Sequence, residues 1–501
     1  LLLLLLLASA APHAPTDPRI FAGRPASERA TFLVVFREQA DLSGAAAMTD
    51  RAARRQFVYD ALRASADAAQ APVRRKLDRE GVRYRPHFLV NMLEVEGDAS
   101  VARTLAARED VAAIAANRAA RLSRPEPAER RATPREAPDA AEPNIEEIRA
   151  PEMWARGFTG RGVVVGMADT GFLWDHPALV ARYRGAEGAH DYAWHDAVHD
   201  AAAGNACGSD APAPCDDNGH GTGTAGLAVG DGGVGARIGA APGATLIGCR
   251  NMDAGNGTPA RYTECFEWLL APTDSAGLRP RPDLGADVIN NSWTCPASEG
   301  CTDVNILRAV IENLRAAGIA LVFAAGNAGS VRDTPSCFTL TEPPAIYDAA
   351  TTVGATDAVD ALAPFSSVGP VTIDGSNRLK PDLCAPGVAL RTSASNGAYA
   401  ESFTGTSAAA PQVAGAVALL WSALPALAGD VDRTEAALEL GAVPLRVGAS
   451  CGGYSGDDVP NPYFGWGRLD VESAYGLVAA TRDDPVALGA EPSPRALRPR
   501  P

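Results

Sequence analysis

The sequence is poor in aromatic residues and carries no excess of positive charge. Aromatic residues make up 6% of its 501 positions, and the formal net charge is -15 at pH 7. Polyphosphate repels a chain this acidic, which argues against nucleic acid or an anionic membrane as its main partner. After the first residues, no stretch is long and uncharged enough for a transmembrane helix. We therefore expect no nucleic acid partner and no stable membrane insertion.

Zinc-site patterns of the usual spacing are also missing, because the chain contains neither CxxC nor HExxH. One cluster of potential ligands remains, formed by His190, Asp191, His195, Asp196, His199 and Asp200. A metal site is one interpretation, since His195 and His199 would lie about one turn apart on a helix. A solvated acidic loop is the favoured interpretation, and any metal ligands stay unknown.

Nine cysteines point to disulfide bonds if the chain is exported. Cys207 with Cys215 and Cys295 with Cys301 lie close together in Gly, Pro, Asp and Ser-rich segments, so short loop-closing bridges are predicted there. The odd number leaves at least one cysteine unpaired.

The first ten residues are typical of the end of a signal peptide. Leucines at positions 1–7 are followed by Ala8, Ser9 and Ala10, the small residues found at signal-peptidase sites. A membrane helix is the weaker alternative, because the run is too short to cross a bilayer. Residues 1–10 are therefore predicted to be a signal peptide remnant, and the protein to be secreted, either extracellular or periplasmic.

The remaining chain divides by composition into four parts. Residues 31–122 alternate between strand-like and helical segments, which predicts a small α+β domain, with an independent binding module as the alternative. Residues 123–143 are rich in Pro, Glu, Arg and Ala without periodicity and predict an exposed, cleavable linker. Residues 144–480 form the main domain, and residues 481–501 are predicted to be a disordered tail.

The main domain has the pattern of a parallel α/β sheet. Apolar runs at 163–168, 244–248, 287–290 and 319–324 show no alternation, as expected of strands buried on both faces. Helical segments such as 304–317 separate some of them. The pattern predicts helices on both faces of a mostly parallel sheet, with ligands beyond the carboxyl ends of its strands.

Three side chains fit the needs of a serine hydrolase. Asp169 follows the first of these strands, and His220 lies in the small-residue segment at 217–226. Ser407 comes before an Ala-rich segment that is typical of a helix, whose N-terminus stabilises an anionic intermediate. Asn327 follows the strand at 319–324 and is a candidate for a second donor to the oxyanion.

With these flanking residues, the order Asp, His, Asn, Ser resembles the subtilisin-like serine proteases from about residue 144 to residue 478. The segments 150–154 and 249–259 are similar to the bacillopeptidase F branch in particular. The resemblance implies a three-layer α/β/α fold and a triad of Asp169, His220 and Ser407, with Asn327 as oxyanion donor. It implies a serine endopeptidase that acts on protein or peptide substrates through an acyl-enzyme.

The same resemblance assigns residues 31–122 to an inhibitory propeptide. In that interpretation the small domain helps folding, covers the active-site cleft and leaves after cleavage in or near the linker at 123–143. The protein would then be made as a self-inhibited precursor whose own propeptide is an intramolecular partner. Catalysis would need no cofactor, while structural calcium is compatible with the family, although the sequence identifies no ligands for it.

The substrate-binding residues are also carried over from the family. Ser292 and Trp293 match the segment that pairs with an extended substrate by β-strand addition, and Gly326 adjoins the oxyanion donor. Thr294 stands where the family usually has Gly, so its side chain is expected to narrow the primary specificity pocket.

Three further positions depart from the family pattern. Gly223 and Gln412 each stand where a His is usual, and Ala408 stands where a Met follows the serine. None belongs to the triad, so we expect altered packing behind the catalytic side chains rather than loss of activity.

Two other functions compete with this prediction. An α/β-hydrolase esterase would need a GxSxG segment at the serine and a late His, but Ser407 lacks that segment and no His follows it. A degenerate subtilisin-like domain that binds peptides without cutting them is the alternative outside the enzymes.

Overall fold

The computed structural model describes residues 13–25, 27–122, 141–233, 237–296, 301, 303–329 and 336–480. The predicted signal remnant at 1–10 and the predicted tail at 481–501 lie outside the described residues, as does the linker at 123–143 except for its last three positions. The chain forms two compact units, which comprise Leu1–Asp41 with Asp60–Arg118, and Leu42–Tyr59 with Ala119–Pro501.

The first unit is built on a four-stranded antiparallel sheet. Its strands are β1 (Ala30–Phe36), β2 (Arg83–His87), β3 (Met92–Gly97) and β4 (Val111–Ala116), in the order β2-β3-β1-β4. The helix α1 (Arg51–Glu80) gives its residues from position 60 onward to this unit, and α2 (Ala99–Ala106) follows β3. The alternating apolar residues of β1, among them Phe32, Val34 and Phe36, are buried in its core.

One strand of this unit is shorter than the sequence suggests. The apolar run that begins at Phe88 reads as strand up to Glu96, whereas positions 88–91 form a turn and β3 begins at Met92. The residues before the turn form β2. This strand is hard to recognise in the sequence, because Pro86 lacks a backbone donor and the strand carries several charges. It lies at the edge of the sheet, where such residues are tolerated.

The second unit contains the remaining elements. Its strands are β5 (Ala120–Arg121), β6 (Val164–Asp169), β7 (Trp194–Asp196), β8 (Thr245–Arg250), β9 (Met252–Asp253), β10 (Asn256–Gly257), β11 (Val288–Asn291), β12 (Ala320–Ala324), β13 (Thr351–Thr356), β14 (Leu383–Pro386), β15 (Leu390–Ser393), β16 (Tyr399–Phe403), β17 (Ser450–Cys451) and β18 (Tyr454–Ser455). Its helices are α3 (Pro143–Glu147), α4 (Ala150–Ala155), α5 (His220–Val229), α6 (Pro259–Leu270), α7 (Arg308–Ala316), α8 (Thr406–Ala423), α9 (Val431–Gly441) and α10 (Val471–Ala480).

Seven of these strands form a parallel sheet in the order β14-β13-β12-β11-β6-β8-β7. The central strands are apolar and buried along almost their whole length, as in β12, where every residue from Ala320 to Ala324 is buried. The prediction of a mostly parallel sheet, whose strands are apolar on both faces, is thus confirmed. Since the strands are parallel, the carboxyl ends of β6, β11 and β12 meet at one edge.

The helix α8 is deeply buried where it packs on this sheet. Its residues from Thr406 to Trp421 are all buried, and they pack on α5 and on the central strands. Small side chains allow this close packing: a Cβ added at Gly415 would lie 2.6 Å from the Cβ of Ala240. The Ala-rich composition that predicted a helix after Ser407 therefore also lets that helix lie against the sheet.

Four disulfides link eight of the nine cysteines. Cys207 bonds to Cys215 and Cys295 to Cys301, which confirms the two predicted bridges. The other two bridges join cysteines further apart in the sequence, namely Cys249 with Cys265 and Cys337 with Cys451. Cys384 is the unpaired cysteine and is buried.

No helix in the described part of the chain combines the length and the apolar character needed to cross a bilayer.

Candidate active site

Asp169 and His220 form a buried hydrogen-bonded pair. Asp169 ends β6, and its Oδ1 lies 2.7 Å from His220 Nδ1, with both side chains at most 2% exposed. The same carboxylate accepts hydrogen bonds from the backbone N–H of Thr170 at 2.8 Å and from the hydroxyl of Thr224 at 3.3 Å. These donors hold the carboxylate in the orientation that receives the imidazole N–H.

The loop before His220 is organised by Asp216. Its carboxylate accepts hydrogen bonds from the Thr170 hydroxyl at 2.9 Å and from the backbone N–H groups of Gly219 and Thr222 at 2.7 and 2.9 Å. Burial raises the pKa of Asp216 above its ordinary value, against the opposite effect of these hydrogen bonds. Gly219 has φ of 85°, a conformation that favours glycine, and α5 begins immediately after it with His220.

Ser407 is the second residue of α8 and faces the residue that follows β11. Its Oγ donates to the carbonyl oxygen of Ser292 at 3.0 Å, and the Ser292 hydroxyl donates to the carbonyl oxygen of Ser407, also at 3.0 Å. His220 Nε2 is buried and has no hydrogen-bond partner among the described residues. The serine hydroxyl therefore bonds to Ser292, not to the histidine.

Asn327 lies beside the first turn of the same helix. Its side-chain oxygen accepts from the backbone N–H of Thr406 at 2.9 Å and from the Thr406 hydroxyl at 3.0 Å. The N–H of Gly326 donates to that hydroxyl at 3.2 Å. Because its oxygen faces Thr406, the amide nitrogen of the Asn327 side chain is directed away from that residue.

Of the predicted substrate-binding residues, Ser292 bonds to Ser407 and the N–H of Gly326 donates to Thr406, whereas Trp293 packs into the core. The side chain of Trp293 is buried, with its ring stacked 3.9 Å from that of Tyr262 and its Nε1 donating to Ala168 O at 2.9 Å. Only its backbone is therefore available to a substrate. The hydroxyl of Thr294 donates to the carboxylate of Glu342, a residue that nothing in the local sequence pattern singled out.

Two of the three departures from the family pattern are compensated by neighbouring side chains. A Cβ at Gly223 would lie 2.8 Å from the Phe403 ring, which occupies the space beside it and lies 5.6 Å from the His220 ring. Gln412 is fully buried and donates to Pro386 O at 2.6 Å, while its oxygen accepts from Asn144 at 3.1 Å.

The third departure, Ala408, is fully buried in a small apolar cluster with Leu227 and Leu390. All three positions thus lie in packed or hydrogen-bonded surroundings. That these departures leave activity intact stays a prediction.

The histidine cluster is a solvated loop only in part, because Asp191 and Asp200 are exposed whereas the residues between them are not. His195 and Asp196 lie on β7, and Asp196 is buried against Arg250, with contacts of 2.9 and 2.8 Å. His195 and His199 each place Nε2 2.9 Å from Glu264 Oε1. Although burial raises the pKa of Glu264, the hydrogen bonds and charges of the two histidines hold it well below its ordinary value.

Within the described ranges, no group of three or more His, Cys, Asp or Glu side chains is arranged to hold a metal ion. Neither the histidine cluster nor the acidic loop before His220 therefore presents such a set of ligands, for calcium or for another metal.

Known proteins are similar in sequence to this chain over most of the second unit and part of the first. The sequence profile of the Subtilase family, peptidase family S8, matches residues 160–467. Bacillopeptidase F from Bacillus subtilis (strain 168) is 32% identical over an alignment of 492 residues that covers 91% of this chain and 32% of that protein. The present chain thus spans about a third of the length of that relative.

Shorter relatives are covered more fully. The major intracellular serine protease of Bacillus subtilis (strain 168) is 30% identical over 278 residues, which are 56% of this chain and 74% of that protein. Subtilisin DY from Bacillus licheniformis is 29% identical over 328 residues, which are 65% of this chain and 96% of that protein. The predicted family and its bacillopeptidase F branch are confirmed, and serine endopeptidase is the enzyme class of that family. The chain belongs to the Subtilase family.

Proposed function

We propose that this subtilase is a serine endopeptidase that cuts extended protein or peptide substrates, with Ser407 as nucleophile and His220 as general base and acid. Asp169 orients the histidine. The backbone N–H of Ser407 and the side-chain amide of Asn327 stabilise the oxyanion.

The observation that carries this proposal is the buried hydrogen bond of 2.7 Å between His220 Nδ1 and Asp169 Oδ1. A proton on Nδ1 leaves the lone pair on Nε2, which is the nitrogen that must take a proton from the serine. The carboxylate also stabilises the imidazolium that forms when that proton arrives. The pair therefore supplies both the correct tautomer and the compensating charge.

Catalysis begins when Ser407 Oγ attacks the carbonyl carbon of the scissile amide while its proton passes to His220 Nε2. The carbonyl oxygen becomes an anion, which the first turn of α8 attracts because the N–H groups of a helix start have no intrahelical acceptors. His220 then gives its proton to the leaving nitrogen, and an acyl-enzyme remains. Water, activated by the same histidine, releases the acid and restores the serine.

An extended substrate fits the side of β10 that β5 occupies, which is an edge once β5 has left. The chain itself provides an example, because β5 pairs with β10 in antiparallel fashion and the N–H of Leu122 donates to Gly255 O at 2.7 Å. A Cβ at Gly255 would lie 3.0 Å from the side chain of Asn218, close in sequence to His220. A peptide added to this edge therefore runs beside the loop that carries the general base.

The pairing of β5 with β10 also supports the proposal that the protein is made as a self-inhibited precursor. Residues 120–122 come at the end of the proposed propeptide, at 31–122, and occupy the edge that a substrate would use. Cleavage in the linker at 123–143 would free that edge, and the peptidase domain at 144–480 would remain active.

Export is the final part of the proposal. Four disulfides favour an oxidising compartment, since the cytosol keeps most thiols reduced. Together with the signal-like residues 1–10, they support a secreted protein, extracellular or periplasmic.

A binding-only module is the second candidate. The observation in its favour is that the Ser407 hydroxyl donates to Ser292 O and not to His220. An active enzyme reaches the histidine by rotating the serine side chain about its Cα–Cβ bond, whereas a binding module never needs that rotation.

Labelling and digestion together separate the two candidates. Purified mature protein is treated with a serine-directed fluorophosphonate, and a peptide library is digested in parallel and analysed by mass spectrometry. The peptidase proposal requires an adduct on Ser407 and cleavage that disappears in Ser407→Ala. Ser450→Ala, at an exposed serine, is the matched control and should behave like the wild type. A folded protein with no adduct and no cleavage would support binding only.

A further inference from the structure

A carboxylate borders the segment that follows β11. The Thr294 hydroxyl donates to Glu342 Oε2, and the N–H of Cys295 donates to Pro343 O at 2.7 Å. The segment with Glu342 is therefore fixed against the segment with Thr294 by one side-chain and one backbone hydrogen bond. Glu342 is partly exposed.

The carboxylate of Glu342 also lies beside Gly326, a residue without a side chain. A Cβ built on Gly326 would lie 3.6 Å from Glu342 Oε2. Gly326 has φ of 97°, a conformation that L side chains rarely adopt, and the Ser367 hydroxyl would lie 3.0 Å from the same Cβ, so the position is kept free of a side chain. Glu342, Thr294 and Gly326 thus border one space.

This space adjoins the proposed nucleophile. Ser407 Oγ lies 3.0 Å from Ser292 O, close in sequence to Thr294, and Gly326 precedes the oxyanion donor Asn327. In the proposed mechanism the attacked carbonyl lies between Ser407 and Asn327, so the side chain of the attacked residue lies near the segments that carry Ser292 and Gly326. It is therefore also near Glu342, whose carboxylate lies beside Gly326.

We infer that Glu342 is the specificity-determining residue of this peptidase and that its substrates are polypeptides cut after lysine or arginine. The inference rests on the proposed function. The long aliphatic stem of either residue fits beside Gly326, and its cationic end reaches the carboxylate of Glu342. Arginine can also bind a carboxylate in a bidentate manner.

The sequence provides a substrate of this kind. The proposed linker at 123–143 contains four arginines, at positions 124, 130, 131 and 135. A precursor that removes its own propeptide by cutting after a basic residue would find several sites there. The net charge of -15 also favours approach of basic segments to the protein.

The test compares peptide substrates that differ only in the residue before the scissile bond, which is arginine, lysine, leucine or glutamate. Each substrate is measured with wild type, with Glu342→Gln and with Glu312→Gln, and active sites are counted by fluorophosphonate titration. Glu342→Gln removes the charge but keeps an oxygen that can accept from Thr294. Glu312 is exposed on α7, so its substitution is a matched loss of charge.

We expect wild type and Glu312→Gln to prefer arginine and lysine over leucine. In Glu342→Gln, kcat/KM for the basic substrates should fall by about 10- to 100-fold, the usual effect of losing a hydrogen bond between charged groups. The value for leucine should stay within about threefold, because that side chain makes no use of the charge. The preference for arginine should also weaken as salt concentration rises.

Wild type that cuts after leucine as fast as after arginine would overturn the inference and leave the peptidase proposal intact. An arginine preference that Glu342→Gln retains would overturn it as well. Absence of both Ser407 labelling and cleavage of every peptide would contradict the proposed function itself, and the inference with it.

Discussion

The hydroxyl of Ser407 donates its hydrogen bond to the carbonyl oxygen of Ser292, at 3.0 Å. His220, the proposed base, bonds through Nδ1 to Asp169. In the proposed mechanism the base is thus oriented before the nucleophile engages it. The Ser407 side chain must then leave Ser292 O by rotating about its Cα–Cβ bond, which crosses only the low barrier between staggered rotamers.

Substitution of Asp169 by asparagine should impair the orientation of the base without disturbing the fold. The new side chain would keep the oxygen that accepts from Thr170 but would offer an N–H to His220, which favours the wrong imidazole tautomer. We expect kcat to fall by about 10⁴-fold with little change in KM. Steady-state kinetics of Asp169→Asn and of the nearby Asp175→Asn, which should retain activity, provide the measurement. A variant within about tenfold of wild type would count against the assigned role.

Asn327 can be tested as a donor separately from its role in positioning Thr406. Asn327→Ala loses both roles, and we expect kcat to fall by about 100- to 1000-fold. Asn327→Asp keeps the oxygen that accepts from Thr406 but loses the amide donor. If the donor matters, the two variants should be similarly slow in kcat at similar KM. Near-normal turnover of Asn327→Asp would show that positioning alone is required.

Replacement of Gly223 by alanine, a residue that helices usually favour, should destabilise the protein. Alanine in place of glycine inside a helix normally stabilises it by about 0.5–1 kcal/mol. At Gly223, however, the new Cβ would lie 2.8 Å from the Phe403 ring, and such overpacking costs about 1–3 kcal/mol. We therefore expect Gly223→Ala to lower the melting temperature.

Gly476 in α10 offers the matched comparison, because a Cβ there meets nothing within 4 Å. Gly476→Ala should raise the melting temperature slightly. If Phe403→Leu in the same chain rescues Gly223→Ala, the ring is the cause. Equal stabilisation by both alanine substitutions would refute the explanation.

Glu147 should make stability depend on pH. Burial raises the pKa of Glu147 to about 7, helped by the negative charge of Asp360 and opposed by Arg468. Since the folded pKa lies above the ordinary value of 4.5, the folded state binds the proton more tightly than the unfolded state. The resulting contribution to stability is complete below pH 4.5 and is lost as pH rises towards 7.

Glu147→Gln should remove this dependence. The Ser407→Ala background prevents self-digestion, and urea unfolding at pH 5 and pH 8 gives the transition midpoints. We expect Glu147→Gln to gain stability over its parent at pH 8 and to gain less at pH 5. Glu146→Gln, at an exposed neighbouring position, should show no such trend. A difference that does not vary with pH would contradict the assignment.

The sheet and the triad candidates could be predicted because their signals are local. Strands buried on both faces have continuous apolar runs, and the ends of those runs located Asp169 and Asn327. The helix that begins at Thr406 was visible in its small residues, and the two short disulfides in the spacing of their cysteines. Each of these inferences needed only residues that are close together in the sequence.

The remaining features depended on which distant segments meet. Asp196 is buried because Arg250 lies on the neighbouring strand, and Gly223 is tolerated because Phe403 occupies the space beside it. Glu342 borders the proposed substrate cleft through a contact with Thr294, 48 positions away. The sequence by itself determined the parallel sheet and supplied the candidates for the reactive groups. Only the tertiary structure decided their partners, because long-range packing and charge pairing leave no periodic pattern in a single chain.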